Sequence, residues 1–169
     1  MKFTLSQSGF TLVELAIALC ISSILALTAG LLIITANRHF SRGNRQADLQ
    51  RDLSLIAEIV GTCIRDGRAS GSDIYADSST YLTGPTVTSG HCLKVSSPSG
   101  TTTIFYQGGH DFVRTALGGT PQRLVRNVVD TLSFHRDPSP GNERYINLSL
   151  SLQRAELRLT SQNRYFFRN

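Results

Sequence analysis

Charge is what this chain is short of. Only 17% of its 169 residues are charged, against about a quarter in an ordinary soluble domain. The shortfall is concentrated, since no residue between Glu14 and Arg38 carries a charge. Lysine is nearly missing: Lys2 and Lys94 are the only two, and arginine supplies the rest of the seventeen cations that face twelve carboxylates. These arginines stand singly among Ser, Gln and Leu, which reads as a solvated basic surface and not as a nucleic-acid tract. No fixed repeat and no second long apolar run are present, which excludes a collagen-like chain, a heptad array and a multi-pass membrane protein. The Leu, Ile, Val and Phe that recur through the remainder exclude disorder. Catalytic signatures are missing as well: there is no Gly-x-Ser-x-Gly, no phosphate-binding Gly-rich loop, no His-Glu-x-x-His and no Cys-x-x-Cys. His39, His91, His110 and His135 are scattered, and His110-Asp111 falls in a turn beside Gly108-Gly109. The chain therefore reads as non-enzymatic, with no cofactor, and its length fits one ordinary domain.

What is there begins with one long apolar run over residues 10–36. A helix needs about 20 such residues to cross a hydrocarbon core, and this run supplies them. A secretory signal peptide would have a shorter apolar core of about 7–15 residues and then a small-residue cut site. Glu14 sits near the start of the run. A carboxylate at the edge of a span is costly, so it either reaches back to the headgroups or has a partner or a task.

The residues Gly9-Phe10-Thr11-Leu12-Val13-Glu14-Leu15 ahead of this run resemble the class III signal of type IV prepilins and type II secretion pseudopilins. The resemblance implies cleavage between Gly9 and Phe10 by a prepilin peptidase, then N-methylation of Phe10. It implies that Glu14 serves assembly by pairing with the Phe10 amine of a neighbouring subunit, a coherent arrangement for two charges that must both leave water. It further implies a single-pass inner-membrane protein with a periplasmic head, which becomes a filament component. The partners implied are the prepilin peptidase, other minor and major pilins or pseudopilins, and the inner membrane with its assembly platform. Two features depart from the family pattern. The leader carries its one basic residue far from the cut, at Lys2, while Arg38, Arg42 and Arg45 lie at the other end of the span, which works against an inside leader by charge counting. The span also lacks the mid-helix proline usual in major pilins, the first proline being Pro85, and this points to a minor subunit.

Beyond the run the pattern stays helical. Leu49, Leu53, Ile56, Val60 and Ile64 recur at spacings of one helical face. Gly43 and Asn44 are weak helix formers placed to bend or interrupt the rod, and Asp66-Gly67 marks its end, with Gly67 as a C-terminal cap. Residues 66–80, rich in Gly, Ser and Asp, read as a surface loop. Residues 92–97, 102–107, 112–115, 124–129, 131–136 and 146–152 read as strands, with 157–160 and 164–168 as a closing pair. In the segment 146–152, Ile146, Leu148, Leu150 and Leu152 alternate with polar residues, as a half-buried strand requires. The fold expected is α+β and pilin-like, a long N-terminal helix packed on an antiparallel sheet head. Its divisions are a leader over 1–9, a membrane and filament-core helix over 10–37, an amphipathic second half over 38–66, and a β-rich periplasmic head over 67–169. The C-terminal part, with its Arg-Asp-Gly turn and final Arg164-Tyr165-Phe166-Phe167-Arg168-Asn169, resembles the PilW/GspJ type of minor pilin or pseudopilin.

Three smaller readings complete the sequence. Cys20 lies inside the apolar run, which leaves Cys63 and Cys92 free to form a disulfide in an oxidising compartment. Asp66, Asp73 and Asp77 offer oxygen ligands for calcium but lack the spacing of a calcium loop, and they read as turn residues, so no metal site is expected. The function expected is a minor subunit that helps initiate or cap a type IV pilus-like filament. A type II secretion pseudopilin is the first alternative. A DNA-uptake pilin, with head arginines such as Arg123 and Arg126 on phosphates, is the second, and nucleic acid is the weaker partner.

Overall fold

The computed structural model describes residues 11–137 and 144–168. Among these residues a helix, α1 (Leu12–Asp66), is followed by nine strands: β1 (Arg68–Tyr75), β2 (Ser89–Gly90), β3 (Cys92–Ser96), β4 (Thr102–Gly108), β5 (Asp111–Ala116), β6 (Gln122–Val125), β7 (Val129–His135), β8 (Tyr145–Arg154) and β9 (Leu157–Phe166). Two compact units divide after Asn44.

In the first unit the helix is bare. Leu12, Leu19, Leu27 and Leu32 are all more than 60% exposed, and no described residue of the span is buried. Three of its hydroxyls are closed inside the helix: Ser23, Thr28 and Thr35 donate to the carbonyls of Cys20, Leu25 and Leu31 at 2.8, 2.9 and 2.8 Å. This is how polar side chains are tolerated where no water is available to pair with them.

In the second unit Leu49, Ile56, Val60 and Ile64 are fully buried, each worth roughly 2 kcal/mol of transfer free energy. They form one core with Leu93, Val95, Phe105 and Phe112 and with the inward residues of β7 and β8. That core lies between two antiparallel sheets and the helix. One sheet runs β1-β3-β4-β5-β6 and the other β2-β7-β8-β9, so the single sheet expected from sequence is two. Ile146, Leu148, Leu150 and Leu152 are buried as their alternation requires.

The seam between the sheets has a particular construction. β2 covers β7 only at Phe134 and His135, which would leave the rest of that edge unpaired. Side chains from the other side take its place. Gln107 accepts from the Leu132 amide at 3.0 Å and donates to the Asp130 carbonyl at 3.2 Å. His91 and His110 approach the carbonyls of Leu132 and Val129 through Nδ1, at 2.6 and 3.0 Å.

Several local expectations are corrected. The helix continues through Gly43 and Asn44 without interruption. It does end at Asp66, but Gly67 does not adopt a positive φ; a side chain there would meet Val95 at 2.6 Å, so close approach explains the glycine. The expected loop over 66–80 contains β1. Gly71, at φ +92°, lies within its irregular stretch, and buried Ser72 is satisfied because it donates to the Arg68 carbonyl at 2.6 Å and accepts from the Ser96 amide at 3.1 Å. Finally, 157–160 and 164–168 are not a pair with each other. Residues 157–166 form one strand, β9, paired along its whole length with β8.

Candidate functional site

The described helix opens at Thr11, whose hydroxyl accepts from the Glu14 amide at 3.3 Å. In return the Glu14 carboxylate accepts from the Thr11 amide at 3.0 Å and from its hydroxyl at 2.9 Å. This is a reciprocal capping box, in which each side chain satisfies a backbone donor that the first helical turn leaves open. Glu14 is thus held at the helix start by a local partner, on a turn where Leu12 and Val13 face outward. The expected cut and methylation site, Gly9 and Phe10, lies outside the described residues. Thr11 was not singled out from sequence, although the Thr-x-x-Glu spacing ahead of an apolar run is the signal for it.

The expected Cys63–Cys92 disulfide is not formed; both thiols are free, as is Cys20. Side-chain parity separates them. Leu93 and Val95 of β3 face the helix and join the main core, so Cys92 must point to the opposite face of the sheet. There it packs with Tyr75 and Ile104 under Tyr81 and Tyr106. Cys63, on the helix, packs against the main core on the inner side and lines a groove of about 540 Å³ with Leu55, Ile59, Val95, Thr103 and Arg114. Burial pushes both thiols up, Cys92 to about 12, with the Asp77 carboxylate adding to the rise.

The other candidates are occupied locally. Asp77 accepts from the amide and the hydroxyl of Ser79, and these bonds hold its carboxyl below the usual range. Asp73 lies within β1. No group of three His, Cys, Asp or Glu side chains converges on a metal-sized position among the described residues. His110 is spent on the seam. Asp111 accepts from the Asn127 amide at 2.8 Å and pairs with Arg123 at 3.2 Å, so Arg123 is engaged with a carboxylate while Arg126 is exposed.

A bare apolar N-terminal helix whose second half packs on antiparallel sheets defines a pilin-like α+β protein. A family model described as the prokaryotic N-terminal methylation motif matches residues 4–30. The chain therefore carries the class III signal of type IV prepilin-like proteins, which implies processing by a prepilin peptidase and anchoring in a membrane by the apolar helix. Proteins of this pilin-like kind are structural and generally non-enzymatic. Comparison with curated proteins and with solved structures returned no match.

Proposed function

We propose that this protein is a minor subunit that helps initiate or cap a type IV pilus-like filament. The observation that carries the reading is the methylation motif over residues 4–30, continuous with an apolar helix that has no covering of its own. Such a surface is stable in a bilayer or against like helices, and in water neither is present. In this reading residues 1–9 are removed, Phe10 becomes the methylated N-terminus, residues 10–37 anchor and later pack in a filament core, and residues 38–66 and 67–169 form the periplasmic part. Glu14 meets the Phe10 amine of a neighbouring subunit. The lack of a proline in the span and the pattern of the C-terminal residues support a minor subunit of the PilW/GspJ type.

The test is the mass and N-terminal sequence of the protein from envelope fractions of cells with and without an active prepilin peptidase. A chain starting at methylated Phe10 only when the peptidase is active is the expected result. A chain still starting at Met1 in its presence removes the reading. Trace incorporation into sheared filaments, together with loss of filament number on deletion, is expected of an initiating subunit; abundance equal to the main subunit argues against it.

A further inference from the structure

The apolar span ends abruptly in cations. Arg38 and Arg42 follow it directly, and no acidic residue occurs between Glu14 and Asp48. Both arginines are exposed, and among the described residues neither takes part in an ion pair. A spacing of four places them on one helical face, about 6 Å apart along the axis. The headgroup layer on each side of a bilayer is about 5–7 Å thick. With the apolar run in the hydrocarbon, both guanidinium groups therefore fall inside one headgroup layer. Phe40, between them in sequence and 72% exposed, adds an uncovered apolar ring at the same level of the helix.

We infer that Arg38 and Arg42 form a clamp for the phosphates of anionic phospholipids, in the leaflet that meets the C-terminal end of the span. The inference rests on the membrane-anchored reading above. Arginine suits this task better than lysine, because its planar fork of donors meets phosphate oxygens two at a time. The placement also runs against the usual bias, since cations at an exported end oppose the proposed orientation. A specific attraction to headgroups offsets that opposition. The clamp fixes the depth of the helix while the subunit waits in the membrane, and it must be released when the subunit enters a filament.

The full chain, reconstituted in phosphatidylcholine bilayers, is probed with trace spin-labelled phosphatidylglycerol or phosphatidylcholine. The fraction of motionally restricted label gives the relative association of each lipid. A preference for the anionic lipid of about fivefold per arginine is expected. It should collapse towards unity in Arg38→Gln/Arg42→Gln and at high salt, fall by about half in logarithm in either single Gln variant, fall partway in the double Lys variant, and persist in Arg126→Gln, which removes from the head the one charge that each single variant removes from the span. Competition by inorganic phosphate as effective as lipid would overturn a headgroup site. Equal association in wild type and double Gln variant, in chains that float with the vesicles, would overturn this inference alone. Loss of filament incorporation in the double variant without any lipid preference would overturn it in favour of an acidic protein surface. A chain that does not float with vesicles at all would overturn the membrane-anchored reading beneath it.

Discussion

Tyr165 lies with its ring against Gly61: a methyl group added at residue 61 would meet the ring's Cε1 at 2.5 Å. The same tyrosine donates its hydroxyl to the Ala57 carbonyl at 2.9 Å. One strand of the second sheet is thereby fastened to the helix at two points a turn apart.

This contact sets the sign of a substitution that propensity alone would misjudge. Gly61→Ala in a helix interior should gain about 1 kcal/mol, whereas overpacking costs about 1–3 kcal/mol. The ring is tethered by its hydroxyl and cannot swing aside freely, so the cost wins. Denaturant unfolding of the full chain in detergent should show Gly61→Ala as destabilising. In a Tyr165→Ala background the same change should become stabilising by about 1 kcal/mol. The same sign in both backgrounds would show that the ring does not set the constraint.

The elements that the sequence made legible are those whose period is carried by large apolar residues. Leu49, Ile56, Val60 and Ile64 declare the buried helical face, and the alternation from Ile146 to Leu152 declares β8. Where small polar residues build structure, the pattern is silent. β1 reads as a loop in sequence because Ser70, Gly71, Ser72 and Asp73 have no apolar period; it is a strand because Arg68 and Asp73–Tyr75 pair with β3, while the Ser72 hydroxyl is satisfied across the irregular stretch between them. The β8–β9 hairpin was obscured for a related reason: its turn uses Ala155 at φ +54°, where Gly or Asn would have announced it. The disulfide expectation failed on a matter of parity. One residue along β3 decides which face a side chain takes, and spacing between cysteines does not reveal the register. At the site, Glu14 was legible from the family motif, while Thr11 required reading the local helix cap.

The thiol arrangement predicts labelling. In the folded protein Cys63, which lines the open groove, should react with a small alkylating agent before fully buried Cys92. In denaturant the two should react alike, and non-reducing peptide mapping should find no Cys63–Cys92 crosslink. Recovery of that crosslinked pair from protein purified without reductant would contradict the separation by sheet faces.

Alkaline pH should loosen the second unit. Cys92 is pushed up to about 12 in the folded state, so the folded protein keeps a proton that the unfolded chain releases near the ordinary thiol value. Its contribution is fully present below that ordinary value, about 9, and is lost as pH rises through about 12. Cys63 and Tyr165, also raised by burial, act in the same direction. Unfolding midpoints measured from pH 8 to 11 should fall, and Cys92→Ala should flatten the slope even though it lowers stability at pH 8. An unchanged slope in that variant would remove Cys92 as a cause.

Gln107 should matter more than an exposed ion pair. It serves both a donor and an acceptor of β7 that no strand covers, and a buried polar group left unpaired costs about 1–3 kcal/mol. Gln107→Leu should therefore destabilise by about 2 kcal/mol or more. Breaking the Arg154–Asp48 surface pair with Arg154→Gln should cost less than about 1 kcal/mol. Thermal unfolding of the two variants side by side checks the ranking, and a smaller loss at Gln107 would deny the seam its role.

Glu14 has two distinguishable uses, and a single substitution separates them. It closes a capping box with Thr11 inside its own helix, and in the proposed filament its charge meets a neighbour's Phe10 amine. Glutamine at the same position retains the capping geometry, because its amide oxygen still accepts from the Thr11 amide, but it carries no charge. Alanine loses both. Thr11→Ala weakens only the cap, by about 1 kcal/mol, and leaves the charge free. If charge pairing drives assembly, Glu14→Gln and Glu14→Ala should depress filament incorporation alike, Glu14→Asp should fall between them and wild type, and Thr11→Ala should assemble nearly normally. Cleavage after Gly9 and insertion in the membrane should survive in all four, since neither needs the carboxylate. Subunit recovered in sheared fractions, normalised to membrane-bound protein, gives the comparison. Normal assembly of Glu14→Gln beside a defective Glu14→Ala would assign the glutamate to its own helix end and end its proposed role between subunits.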